Sequence, residues 1–264
     1  MGKLHDLAVS SAPSFKCLIP SKGTMVKMRA FLVKEQKLLL IAKEAEDDKI
    51  DSILSAITHL LQNCILENVN VSDLPSFDIE YMFVQLFMHS TASKTSFAAY
   101  RCLNPVLDGD GKPVMVDDEP KVCGATNKIK IDLTKAIIPT SKIKDGFITV
   151  GSDAIEKIMF KYMDFDKAVR YSLAANRNDV DEIFNIISSC MVAVYKPDGS
   201  MLTLGEDYEV EDAVELLEHM SSNVFQKVMD FYSETPSLEA VHDFKCKSCG
   251  AESKLQLRGL EDFF

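Results

Sequence analysis

His242-Asp-Phe-Lys-Cys246-Lys-Ser-Cys249-Gly250-Ala-Glu-Ser-Lys-Leu-Gln-Leu-Arg-Gly-Leu-Glu-Asp-Phe-Phe264 reads as strand, tight cysteine-bearing turn, strand and short aromatic tail. His242, Phe244 and Cys246 alternate onto one face, as do Leu255 and Leu257 beyond the turn, which is the period of paired strands. Cys-x-x-Cys-Gly has the form of a metal knuckle: two thiolates one turn apart, then a glycine free to take φ > 0. Tetrahedral zinc takes four ligands, and one knuckle supplies two. The second pair has to come from elsewhere.

Cys123-Gly124-Ala125-Thr-Asn-Lys128-Ile129-Lys-Ile131 has the pattern of Cys249-Gly250-Ala251-Glu-Ser-Lys254-Leu255-Gln-Leu257: Cys-Gly-Ala, two polar residues, Lys, then alternating aliphatics. Upstream, Phe97-Ala-Ala-Tyr-Arg-Cys102 parallels the strand that leads to Cys246. The chain therefore reads as two copies of one cysteine hairpin, the first with a long loop between its cysteines. Cys102, Cys123, Cys246 and Cys249 become the candidate ligands of one zinc ion. The competing reading, two hairpins held by packing alone, carries the greater weight, because one intact knuckle is half a signature. His242 is set aside as a ligand, since along an extended strand it lies about 13 Å from Cys246 at ~3.3 Å per residue.

With 264 residues, 47% of them hydrophobic, the chain can bury a sizeable core as one large domain or two smaller ones. Forty acidic against 29 basic residues give a net charge of -11. That balance argues against a nucleic-acid binder driven by phosphate neutralisation and against an anionic membrane surface. Seven cysteines, and no long apolar region after Met1-Gly-Lys-Leu-His-Asp, point to reduced thiols, no signal peptide and a cytoplasmic setting. The apolar run from Leu38 to Ala42 is far too short for a membrane span. Asp6 stands where N-myristoylation wants Ser or Thr.

Residues 1–14 read as a flexible polar tail. Residues 15–138 read as an N-terminal helical half ending in the first cysteine hairpin. Residues 139–264 read as a C-terminal helical half ending in the Cys-x-x-Cys hairpin and aromatic tail. In the first half, two short strands flank Pro20 and Gly23. Helices follow over 34–45, over the stripe from Ile50 to Ile65 capped by Asp47 or Asp48, and over 78–90. In the second half, Phe147 to Val150 is a strand, and Asp153 with Glu156 caps a helix carrying Ile155, Ile158, Met159, Tyr162 and Met163. Further helices place Val180, Ile183, Phe184 and Ile187, then Val210 to Leu217, then Val224 to Tyr232, around a strand over Met191 to Tyr195. The expected fold is α+β, mainly helical, with short strands and two cysteine-bearing β-hairpins of degenerate zinc-ribbon-like form.

No catalytic constellation stands out. There is no Gly-x-Gly-x-x-Gly, no phosphate-loop lysine and no Gly-x-Ser-x-Gly elbow, and the five histidines are scattered. Asp108-Gly-Asp-Gly resembles the start of a calcium loop but lacks the flanking helices and the bidentate twelfth ligand, so a hairpin tip is the better reading. Cys64 and Cys190 fall on apolar helical faces as small hydrophobes, and Cys17 sits in a strand.

The run Leu18-Ile-Pro20-Ser-Lys-Gly23-Thr-Met-Val-Lys-Met-Arg-Ala-Phe-Leu-Val-Lys-Glu35, followed by Asn63-Cys-Ile and Asp78-Ile-Glu-Tyr-Met-Phe, resembles the baseplate hub assembly family of T-even-like contractile-tailed phages. The ending, from Pro236-Ser-Leu through Phe244-Lys-Cys246-Lys-Ser-Cys249-Gly to Arg-Gly-Leu-Glu-Asp-Phe-Phe264, is similar to the end of the same family. The loop from Asn104 to Pro120 departs from that pattern. The resemblance implies a non-enzymatic late protein of tail assembly, a baseplate hub subunit or hub assembly chaperone. It implies partners among other hub or tape-measure-type tail proteins; the acidic balance and the short apolar runs lead to an expectation of no nucleic acid and no membrane. The resemblance places the protein in the host cytoplasm during assembly; a subunit would stay in the tail baseplate of the virion, whereas a chaperone need not. A zinc-ribbon nucleic-acid module is the alternative; it needs a basic stripe, and Lys245, Lys247, Lys254 and Arg258 form only a small cluster beside Glu252 and Glu261.

Overall fold

The computed structural model describes residues 11–44, 49–91 and 93–263. Residues 1–10 of the tail expected over 1–14, the Asp47 or Asp48 cap and Phe264 lie outside the described residues, and Ser14 already begins the first strand. Strands β1 (Ser14–Ile19) and β2 (Thr24–Arg29) pair antiparallel with Ile19 opposite Thr24, around the expected turn. Helices α1 (Val33–Glu44), α2 (Lys49–Cys64) and α3 (Ser76–Thr91) follow. Ile57, Leu60, Leu61 and Cys64 recur at helical spacing on α2, and all four are buried against Val26, Met28, Met82 and Leu86. Arg29 and Glu35 form a buried ion pair at 2.9 Å, and Glu35 also accepts from the Leu32 amide at the start of α1.

Strands β3 (Thr95–Arg101) and β6 (Thr126–Asp132) form the first cysteine hairpin, with the small ribbon β4 (Met115–Val116) and β5 (Glu119–Pro120) between them. An antiparallel sheet in the order β10-β9-β8-β7 comes next, from β7 (Phe147–Thr149), β8 (Lys157–Phe160), β9 (Met191–Tyr195) and β10 (Met201–Thr203). Helices α4 (Phe165–Arg177), α5 (Val180–Ser188), α6 (Val210–Glu218) and α7 (Ser222–Ser233) accompany it. Their shared core contains Ile158, Phe160, Ile187, Met191, Leu217, Val228 and Phe231. The terminal hairpin is β11 (Glu239–Lys245) and β12 (Glu252–Arg258).

A third core holds both cysteine hairpins against α3: Phe77 and Val84 from the helix, Ile131 and Leu133 from the first hairpin, and Leu238, Phe244, Leu257 and Phe263 from the terminal one. Helix α3 thus buries opposite faces in two cores, Ile79, Met82 and Leu86 in one and Phe77 and Val84 in the other. An apolar helix on both sides is what an internal position requires.

The expected mainly helical, zinc-ribbon-like fold is corrected here. Helix accounts for 38% and strand for 29%, with seven helices and twelve strands in small sheets among the described residues. The fold is mixed α+β, and the hairpins are parts of a larger core rather than a free-standing ribbon. The helix expected over residues 153–163 accounts for part of the difference. Lys157–Phe160 is instead a strand paired with β7 and β9, with Ile158 and Phe160 alternating inward. Short apolar runs fit both periods, and the two flanking strands decide.

Candidate metal centre

Cys102 follows β3, Cys123 precedes β6, Cys246 follows β11 and Cys249 precedes β12. Each hairpin delivers one cysteine from the end of its first strand and one from just before its second. The registers agree: Arg101 opposes Thr126, and Lys245 opposes Glu252. So do the hydrogen bonds. Cys102 N donates to Ala125 O at 3.0 Å and Gly124 N to Cys102 O at 2.9 Å; Cys246 N donates to Ala251 O at 2.9 Å and Gly250 N to Cys246 O at 3.0 Å. Gly124 and Gly250 take φ of +69° and +71°, the left-handed region that closes both turns and that a side chain resists. The expected repeat is therefore a repeat of geometry.

The hairpins face each other about an approximate two-fold relation. Cys102 Sγ lies 3.8 Å from Cys249 Sγ, and Cys123 Sγ lies 3.9 Å from Cys246 Sγ. Exchanging the two copies converts one contact into the other. Tyr100 and Phe244, equivalent positions of the copies, meet edge to face at 4.8 Å. All four sulfurs lie within 4.8 Å of one another. Disulfide sulfurs sit ~2.05 Å apart, so these are four separate thiols. Sulfurs at the corners of a tetrahedron around an ion with ~2.3 Å bonds stand about 3.8 Å apart. Both short contacts match that edge.

Cys246 is acidified relative to an ordinary thiol. The Cys249 backbone amide first, then the Ser248 amide and the Asn127 side chain, bring its pKa down to about 6. Cys102 goes the other way. The Asn104 amide lowers it, but desolvation and the neighbouring sulfurs outweigh that and push it to about 12. Thiols packed this closely cannot all ionise without a cation between them. Cys17 and Cys64, by contrast, are buried alone, and desolvation raises them to about 12 and about 11, as expected of inert core thiols.

His242, set aside as a ligand, is buried on β11 and stands outside the sulfur cluster. The inserted segment is a small arm whose strands bond through Val106 N to Lys121 O and Val114 N to Val106 O, both at 2.8 Å. Asp108 Oδ1 accepts from Asp110 N and Lys112 N at 2.9 Å each, so this carboxylate shapes a hairpin tip as expected.

One residue of the site was not singled out from the sequence. Asn127 is buried, and its side chain donates to Ala125 O at 3.0 Å and to Cys246 Sγ at 3.5 Å while accepting from Lys247 N at 2.9 Å. The signal was its place in the alternation Asn127, Ile129, Ile131, which turns an amide inward where an aliphatic is the usual choice.

No curated protein and no solved structure matches the chain. The sequence model of a family described as T4 bacteriophage base plate protein matches residues 12–264, which takes in both cysteine hairpins, all three cores and the aromatic tail. On that match the chain belongs to the T4 bacteriophage base plate protein family.

Proposed function

We propose that this protein is a hub subunit or hub assembly chaperone of the baseplate, working without catalysis through contacts with other hub or tape-measure-type tail proteins. The observation that carries the reading is family membership along residues 12–264. Surface chemistry supports it. The inserted arm exposes Leu103, Leu107, Met115 and Val116. An apolar cleft of about 310 Å³ lies between α5, α6 and α7, lined by Val180, Phe184, Met220 and Phe225 with Asp181 and Glu218 beside them. Exposed apolar groups beside carboxylates suit apolar partner surfaces with basic rims. Among the described residues no helix is long and apolar enough to cross a membrane. Zinc belongs to this reading as a structural cofactor held by Cys102, Cys123, Cys246 and Cys249.

A phage lacking the gene tests the reading. It is expected to yield infected cells without full-length tails, and normal infectious particles would contradict it. Mass spectrometry of co-purified proteins and of finished virions then divides the two roles: a subunit persists in the particle, whereas a chaperone is found only in host cytoplasm during assembly.

A further inference from the structure

Resting on the zinc reading above, we infer that Asn127 is the positioning residue of the four-thiolate centre, tying the second cysteine turn to the first hairpin and setting how tightly the ion is held. Its amide is 4% exposed and engaged on both sides. One N–H holds its own turn through Ala125 O, the other points at Cys246 Sγ, and the carbonyl oxygen takes the Lys247 amide. The last two bonds cross 119 and 120 positions of sequence.

The hairpin itself does not need this residue. Its counterpart in the second copy is Ser253, which shares the face of Leu255 and Leu257 on β12 yet is exposed. A buried amide carries a desolvation cost that an aliphatic residue avoids, so its presence follows from the groups it bonds. Four thiolates on a divalent ion carry a net charge of 2−. Amide donors aimed at a ligand sulfur spread that charge and fix the ligand's direction, which is the outer-layer role around metal ions. Ser248 N, 3.4 Å from the same sulfur, adds a second donor. Cys246 is thereby the best-supported ligand, and Asn127 is the part of that support that comes from the other hairpin.

The test uses the full chain purified without chelator, with zinc quantified by atomic spectrometry and its affinity measured by competition with a chromogenic chelator. The wild-type chain is expected to carry close to one zinc. Asn127→Ala should lose zinc affinity by roughly tenfold to hundredfold, and Asn127→Asp by more, since a carboxylate adds charge and donates nothing. Ser253→Ala should leave affinity unchanged. Asn127→Ser, which gives the first hairpin the residue its copy already uses, serves if the alanine variant folds poorly by circular dichroism. Cobalt-substituted protein gives a readout that packing alone would not move: the sulfur-to-cobalt absorption should persist in Asn127→Ala but shift. Wild-type affinity and spectrum in both Asn127→Ala and Asn127→Ser overturn the assignment. A wild-type chain with below about a tenth of an equivalent of zinc, taking up neither added zinc nor cobalt, overturns the zinc reading with it. Neither result touches the baseplate role, which is read in infected cells.

Discussion

Glu80 brings a carboxyl into the junction between α3 and the terminal hairpin, where it accepts from Leu238 N at 3.0 Å. Burial, opposed by that amide and reinforced by Glu261, raises its pKa from 4.5 to about 7. A carboxyl raised in the folded state favours folding at acid pH. Its contribution is fully present below about pH 4.5 and is lost as pH rises through about 7. Glu80→Gln keeps an acceptor for Leu238 and removes the titration. Relative to wild type, this variant should gain stability between those limits, on the order of 1–3 kcal/mol, as read by urea unfolding at several pH values. Gly146 is a different kind of constraint. Its φ is +76°, and an added Cβ would stand 2.0 Å from Phe160 O. Gly146→Ala should cost roughly 3 kcal/mol or more, seen as a lower melting temperature, because strain and overlap act together. The cysteines announce their chemistry in the sequence, whereas Asn127 and Glu80 do not. What makes them matter is a partner more than 100 positions away, which no local pattern contains.

At the scale of elements, legibility followed length and capping. The long stripe of α2 and the apolar faces of α3, α6 and α7 could be read directly, because several turns of one period leave little ambiguity. Strand β8 differs from the helix its sequence suggests because four residues cannot establish a period. Its neighbours β7 and β9 supply the answer from outside the segment. Helix α4 has marked ends. Asp164 caps its start by accepting from Lys167 N at 2.9 Å, and Asn178 closes it at φ +55°. Phe263 of the aromatic tail lies in the protein's own core. Phe263 is fully buried beside the terminal hairpin, and Leu260 packs in the same region. Phe263→Ala should therefore lower stability by about 3–5 kcal/mol in chemical unfolding. Unchanged stability with loss of a tail-protein partner would instead make the tail an anchor.

For the whole molecule, the two hairpins are the long-range closure. They bring Cys102 against Cys249 across 147 positions and share one core with α3. Contacts so distant in sequence are costly in chain entropy to bring together, and the proposed ion, bonded to four sulfurs, would oppose that cost directly. In the metal-free reading, packing alone joins the hairpins and the four thiols stand within 4.8 Å of one another with no ion between them. The measurement that separates the two is zinc K-edge X-ray absorption on the chain as purified. The account predicts a single shell of four sulfurs at about 2.3 Å. Nitrogen or oxygen in that shell, or no bound zinc to give an edge, would contradict it.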